Sequence, residues 1–177
     1  MTIKALGTWF GAAASEADFA ALYEQELPRI YNYFRYRVGD GAIAEDLTSE
    51  TFERAWAQRG RYKRDLGAFS TWVFTIARRI AVDYYRRRRP EAPLDAGLDV
   101  PAAFALEEHV SQQADYARLA AILRHLSDRD REIIALRYGA GLTNRRIAAL
   151  LDLTESNVGV IVHRALAQMR AAWEERL

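Results

Sequence analysis

Apolar residues recur at spacings of three and four along nearly the whole chain, and strand-like alternation is scarce. That period confines the fold to helices packed on helices. The expected helices run over about 16–38, 42–58, 68–88, 114–126, 128–138, 144–151 and 155–172. Pro28 predicts a break or a new first turn inside the first of them. Gly39-Asp40-Gly41 marks a turn, and Pro90 stops the third helix. Ser127, Thr143 and Thr154 stand where helix starts need a side-chain oxygen. Half of the residues are hydrophobic, enough to bury a core.

Punctuation and charge divide the chain. Residues 90–113 hold Pro90, Pro93, Gly97 and Pro101, and residues 90–117 carry six acids with no Lys or Arg. The fold class expected is therefore all-α, with two small helical domains joined by an acidic linker and a helix-turn-helix in the second. The boundaries read as a tail over 1–15, a first domain over 16–89, a linker over 90–113 with room for a short helix from 102, and a second domain over 114–177. Cysteine is absent, which excludes disulfides and thiolate metal sites. The three histidines are far apart in sequence, so no metal-ligand spacing appears and no cofactor is implied. No apolar run approaches the ~20 residues of a membrane span. The start mimics a weak signal peptide, but Gly7 and Thr8 interrupt its apolar stretch. A flexible or partner-binding tail is the expectation there.

The net charge of +1 conceals its distribution. Residues 61–89 carry nine Lys or Arg against Asp65 and Asp83, with Tyr62, Phe69, Trp72, Phe74, Tyr84 and Tyr85 threaded between them. Cations hold a phosphate backbone, and flat rings stack on unpaired bases. On a helix, Phe69, Val73, Ile76, Ala77, Ile80 and Tyr84 fall on one face, which must be core. Trp72, Arg79 and Arg86 lie seven apart and form one stripe on the shoulder of that face. The alternative is a helix that packs Trp72 inside and leaves Arg86–Arg89 as a solvated end complementing the helix dipole.

In EDLTSETFERAW, Asp46, Glu50 and Glu53 make a negative stripe on a helix, with Phe52 and Trp56 elsewhere on it. Paired carboxylates can serve acid–base chemistry or a metal, but no nucleophile, partner His or glycine-rich loop accompanies them. The remaining readings are a solvated face or a stripe that docks a protein.

Residues 143–170 have the spacing of a helix-turn-helix. Ile147, Ala148 and Leu151 give one apolar face; Val158, Ile161, Val162, Ala165, Leu166 and Met169 give the other. Glu155, Ser156 and Asn157 open the second helix, and the start of such a helix enters the major groove. Ser156 and Asn157 suit base edges, and Val160 suits a thymine methyl. Arg145, Arg146, His163 and Arg164 suit phosphates. An ordinary helical hairpin is the alternative.

Three stretches, in order, resemble the extracytoplasmic-function sigma factors of bacterial RNA polymerase. EDLTSETFERAW is similar to the helix by which that family binds core polymerase, matching at Asp46, Glu50, Phe52, Ala55 and Trp56, with Ser49 for a common Gln. FSTWVFTIARRIAVDYYRRRR resembles its minus-ten segment, matching at Phe69, Trp72, Ile76, Ala77, Arg78, Asp83 and Arg86. LSDRDREIIALRYGAGLTNRRIAALLDLTESNVGVIVHRAL resembles its minus-thirty-five segment. Arg146 stands where a Glu often precedes Ile-Ala, Asp152 replaces the usual turn Gly, and Gly159-Val160-Ile161 replaces a more polar, basic stretch.

The resemblance implies a cytoplasmic promoter-specificity subunit, with no enzymatic activity, cofactor or ATP. Its partners would be the β and β′ subunits of RNA polymerase core, promoter DNA both duplex and single-stranded, and an anti-sigma factor. It assigns core binding to Asp46, Glu50, Phe52, Glu53 and Trp56. Minus-ten DNA falls to Tyr62, Lys63, Arg64, Phe69, Trp72, Arg78, Arg79, Asp83 and Arg86. Minus-thirty-five DNA falls to Arg145, Arg146, Glu155, Ser156, Asn157, Val160, His163 and Arg164. Beside it stand a stand-alone helix-turn-helix regulator and a nucleic-acid enzyme using Asp46 and Glu50 with a metal; no third partner for those acids supports the latter.

Overall fold

The computed structural model describes residues 16–62, 68–88 and 107–174. Expectations for the tail 1–15, for Lys63, Arg64 and Arg89, and for the linker over 90–106 lie outside the described residues. Within them the chain forms α1 (Glu16–Val38), α2 (Gly41–Ala57), α3 (Phe69–Arg88), α4 (Glu107–Arg124), α5 (Asp128–Ile134), α6 (Asn144–Leu151) and α7 (Glu155–Glu174). A short 3₁₀ turn follows α2 over Arg59–Arg61, and a π-helical turn over Ala135–Gly139 extends α5.

The helix starts are set by short polar side chains. Asp40 accepts from the Ile43 N–H at 2.9 Å, and Ser127 from the Asp130 N–H at 3.1 Å. Thr143 and Thr154 accept from the N–H groups of Arg146 and Asn157 at 3.3 and 3.2 Å. Each such cap contributes about 1 kcal/mol. Between α6 and α7, Asp152 takes left-handed geometry (φ 55°, ψ 51°), and the Leu153 N–H closes onto the Ala148 carbonyl at 2.9 Å. Asp is among the few side chains that tolerate this geometry.

Three expectations are corrected. Pro28 does not break α1, which runs through it. Its ring removes one hydrogen bond, to the Glu24 carbonyl, on the exposed side of the helix. Tyr23 and Leu27 before it, and Ile30, Tyr33 and Phe34 after it, hold both halves to the same core. α4 begins at Glu107, inside the stretch read as linker, because no Gly or Pro follows Pro101 until Gly139. The helix expected over 128–138 is α-helical only to Ile134; its last turn widens, with the Ala140 N–H bonding to the Ala135 carbonyl at 2.9 Å.

The two helical units expected from the sequence are present, α1–α3 and α4–α7, and they share one core. Ile30, Tyr33, Phe34, Val73, Phe74 and Ile80 of the first and Ile133, Leu136, Ile147 and Val158 of the second are fully buried in a single cluster. The units meet where α1 lies against the π-helical turn. There Gly139 packs so closely on α1 that a Cβ at this position would sit 2.7 Å from the Asn32 carbonyl oxygen.

Replacing Asp152 tests the turn between α6 and α7. Asp152→Gly should keep or raise the melting temperature, because Gly carries no left-handed penalty. Asp152→Val should lose about 1–2 kcal/mol, read from denaturant melts.

Candidate nucleic-acid interface

α3 positions the basic segment, and its circumference is divided three ways. Phe69, Val73, Ile76, Ala77 and Ile80 point into the core of α1–α3. Ser70, Phe74 and Arg78 face the second unit: the first two, with Thr71 at the edge, line a small cleft with Leu142, Arg146 and Leu150, and Arg78 bonds α5 and α6. The third sector carries Thr71, Trp72, Arg79 and Arg86, of which only Trp72 is even half-buried.

The aromatics at the head of α3 form a nest. The Tyr62 ring meets Trp72 at 5.3 Å and Phe69 at 5.4 Å, and Phe69 meets Trp72 at 5.5 Å. Phe19 closes it, edge-on to Phe69 at 5.6 Å. Tyr62 and Phe69 are buried, so they form the wall of the nest; Trp72 is its open member.

Arg78 is committed elsewhere. Its Nε donates to Glu132 Oε1 of α5 at 2.8 Å, and its Nη1 donates to the Leu150 carbonyl of α6 at 2.9 Å. Asp83 is held between Arg86 at 3.1 Å and Arg54 at 3.9 Å. It acts as a bracket joining α2 to α3. Arg79, Arg86, Arg87 and Arg88 are the exposed cations of the helix.

On α2, Asp46 and Glu53 are exposed, while Glu50 pairs with Arg54 and lies 4.0 Å from Arg87. Phe52 is in the core, edge-on to Tyr23 at 4.6 Å. Trp56 is 37% exposed, with Phe19 edge-on at 5.0 Å and the Arg59 guanidinium 3.9 Å above its ring. The acidic stripe is thus an open surface whose apolar supports face inward.

The second unit brings its expected residues together on one exposed surface. Arg145 and Arg146 start α6; Glu155, Ser156, Asn157, Val160 and His163 line the outer side of α7. Val160 is 62% exposed. Arg164 differs from the others. Its Nη2 donates to both oxygens of the buried Asp130 at 2.9 and 3.0 Å, tying α5 to α7.

Several working residues escape sequence reasoning. Arg29 donates to both oxygens of the buried Glu26 at 2.9 Å, and its Nε donates to the Ala140 carbonyl of the second unit at 2.9 Å. Arg37 reaches Asp128 at 3.4 Å and lies 4.8 Å from the Tyr85 ring. Of these pairings only Glu26–Arg29 had a sequence signal, its three-residue spacing on a helix. Burial, reinforced by the Glu132 carboxylate, pushes the Tyr33 phenol above its usual range. Burial likewise raises Tyr85, against the pull of Arg37 and Arg131. Among the described residues no group of three or more His, Cys, Asp or Glu is placed to hold a metal, and no helix is long and apolar enough to cross a membrane.

Comparison with known proteins places these surfaces in a family context. The family description "Sigma-70 region 2" matches residues 22–91, and "Sigma-70, region 4" matches residues 122–171. The chain is 30% identical over 168 residues to the ECF RNA polymerase sigma factor SigL of Mycobacterium tuberculosis, covering 93% of this chain and 94% of that protein. It is 33% identical over 159 residues to the ECF RNA polymerase sigma factor BldN of Streptomyces coelicolor, covering 88% of this chain and 60% of BldN. Among solved structures, CnrH in complex with the cytosolic domain of CnrY matches with a TM-score of 0.70 at 24% identity, covering 92% of this chain and 93% of that one. RpoE in complex with the anti-sigma factor NepR from Bartonella quintana matches at 0.68 and 21%, covering 89% and 97%. These two likenesses show a shared fold.

Arg164 and Arg145 should part company under substitution. Arg164→Ala leaves the buried Asp130 carboxylate without its partner and should cost about 1–2 kcal/mol of stability. Arg145→Ala should change stability by less than about 0.5 kcal/mol. Chemical denaturation of the two variants separates a strap from a surface cation.

Proposed function

The chain belongs to the extracytoplasmic-function sigma factors of RNA polymerase, and from that premise we propose how its surfaces direct core polymerase to promoters. The family is non-enzymatic, so the work is binding: to core enzyme, to duplex DNA and to opened strand. We place that work in the cytoplasm, where polymerase acts. The observation that carries the reading is the capped helix-turn-helix of α6 and α7, with Ser156, Asn157 and Val160 open to solvent on one face, on the same chain as a Trp72–Arg79–Arg86 stripe whose arginines are exposed and whose tryptophan is half-buried.

α7 enters the major groove of the minus-thirty-five element by its first two turns, the usual docking of this motif. Asn157 and Ser156 take base edges, Val160 takes a thymine methyl, and Arg145 and Arg146 hold phosphates. At the minus-ten element, Trp72 stacks on an unpaired base and Arg79 and Arg86 follow the strand. Opening a step costs a few kcal/mol, and stacking returns about 1–3 kcal/mol per base. Strand capture therefore drives melting without nucleotide hydrolysis. The acidic stripe of α2, Asp46 with Glu50 and Glu53, docks on core polymerase beside Trp56 and Arg59. An anti-sigma partner is part of the proposal: RpoE was crystallised with one, and this chain shares its fold.

Trp72→Ala should slow open-complex formation about tenfold or more, the scale of one lost stack, and Arg79→Ala should slow it through the lost strand contact, while core binding holds. Equal loss of both activities would make these residues merely structural. Asp46→Arg should weaken core-enzyme binding in a pull-down; unchanged affinity would remove α2 from the docking role. Run-off transcription with core polymerase on a promoter library tests the whole: no initiation at any promoter refutes it.

A further inference from the structure

Three arginines of the first unit reach across to the second. Arg29 donates to the Ala140 carbonyl at 2.9 Å, Arg37 pairs with Asp128 at 3.4 Å, and Arg78 donates to Glu132 at 2.8 Å and the Leu150 carbonyl at 2.9 Å. Around them the contact is closely packed. Tyr33 and Phe74 of the first unit and Leu136 of the second are fully buried, and Gly139 touches the α1 backbone. A contact of this kind has two states, packed or parted, with little between.

The proposed function needs the parted state. Elements named minus-ten and minus-thirty-five are centred about 25 base pairs apart, about 85 Å of duplex. A compact chain of this length is about 40 Å across, from a radius of gyration near 16 Å. The packed form cannot lie on both elements, whereas residues 89–106 have a contour of up to about 60 Å.

We propose that this contact is a latch that holds the free protein closed, and that Arg78 is its shared group. In the closed form Arg78 belongs to Glu132 and the Leu150 carbonyl. When the units part, its guanidinium is released beside Arg79, about 100° round α3, and joins the cationic surface offered to the minus-ten strand. A strand phosphate and the Glu132 carboxylate therefore compete for one cation, so strand capture and opening favour each other. The duplex-reading face of α7 and the acidic stripe of α2 stay exposed in the closed form. Arg79 and Arg86 are exposed as well, so the latch withholds Arg78 from the strand and prevents contact with both elements at once, and it covers none of these surfaces. This inference rests on the proposed function for the identity of the strand, not for the existence of the latch.

Gly139→Ala is the direct test. The added methyl meets backbone, 2.7 Å from the Asn32 oxygen and 3.2 Å from the Tyr33 Cα, and neither can swing away. Gly139 is not among the residues with positive φ, so Ala suits its own conformation. The chain lacks cysteine, so Ala42→Cys and Ala171→Cys, on exposed sites of α2 and α7, give a unique dye pair in the full-length protein. Gly139→Ala should lower energy transfer between the dyes and raise the radius of gyration in solution scattering by about a third, with helical circular dichroism unchanged. Intact helicity with unchanged transfer and scattering would overturn the latch. Should Gly139→Ala lose helicity, Glu132→Ala decides instead: lower transfer supports the proposal, unchanged transfer overturns it. Glu132→Ala should also tighten binding of a single-stranded oligonucleotide severalfold, and Arg78→Ala should erase that gain. A gain that survives Arg78→Ala would remove Arg78 from the shared role. Opening by either variant in a protein that never supports transcription would leave the latch standing and sink the promoter reading.

Discussion

Tyr33 and Phe74 lie at the centre of the molecule, edge to face at 5.9 Å, with Leu136 of the second unit buried in the same cluster. Fully burying an apolar side chain such as Phe74 or Leu136 contributes about 1.5–3 kcal/mol. The approach that closes over them depends on Gly139, since any Cβ there would strike the α1 backbone. From this contact follows the rest of the arrangement. It fixes which side of α1 and α3 is inside, and it leaves the outer sector of α3 and the outer face of α7 to solvent.

α3 has to satisfy three neighbours at once, and it does so by angular division. A helix advances about 100° per residue, so Arg78 and Arg79, adjacent in sequence, serve different faces. Arg78 is a joint residue in this structure and Arg79 a surface cation. The same separation applies at the C-terminal end, where Tyr85 donates its hydroxyl to the Arg37 carbonyl while Arg86 and Arg87 stand in water. The chain Glu50–Arg54–Asp83–Arg86 links α2 to α3 through partly exposed pairs. Such pairs stabilise little individually. What they do is hold acidic and basic surfaces side by side and limit how far each field extends.

The local structure was largely legible from the sequence, because caps and turns are local chemistry. Ser127, Thr143 and Thr154 act as the caps expected of them, and Asp152 sits in the left-handed turn that its short polar side chain allows. The exposed group on α7 was legible for the same reason, since one face of an amphipathic helix implies the other. What periodicity cannot tell is which core a buried face enters. Phe52 and Phe69 match functional motifs, the resemblance assigns Tyr62 to the minus-ten contact, and all three prove to be buried supports. Arg29, Arg37, Arg78 and Arg164 look alike in sequence, yet each is spent on a partner that no spacing rule connects to it, 34 to 111 residues away. Even Pro28 misleads, since tertiary packing on both sides of it overrides the local cost of one lost hydrogen bond.

The unusual run Gly159-Val160-Ile161 has a simpler meaning once its faces are separated. Ile161 is buried, and Gly159 faces Asn144 with ordinary room for a methyl, 3.7 Å away. Only Val160 reaches the reading surface. Between Ser156 and His163 that surface therefore lacks the long cations that fork onto guanine, and Arg164, which could have supplied one, is held by Asp130. In the proposed docking, phosphate contact falls to Arg145 and Arg146 at the start of α6 and to His163 on α7. A duplex contact with few cations beside its reading helix start and a methyl-sized reader gains little affinity there, since phosphate neutralisation supplies most of the sequence-independent term. On the proposed function, the second unit acts as one of several tethered contacts, where the attachment of the first unit raises its effective concentration. Tight stand-alone binding to duplex is the property this surface is least equipped to provide.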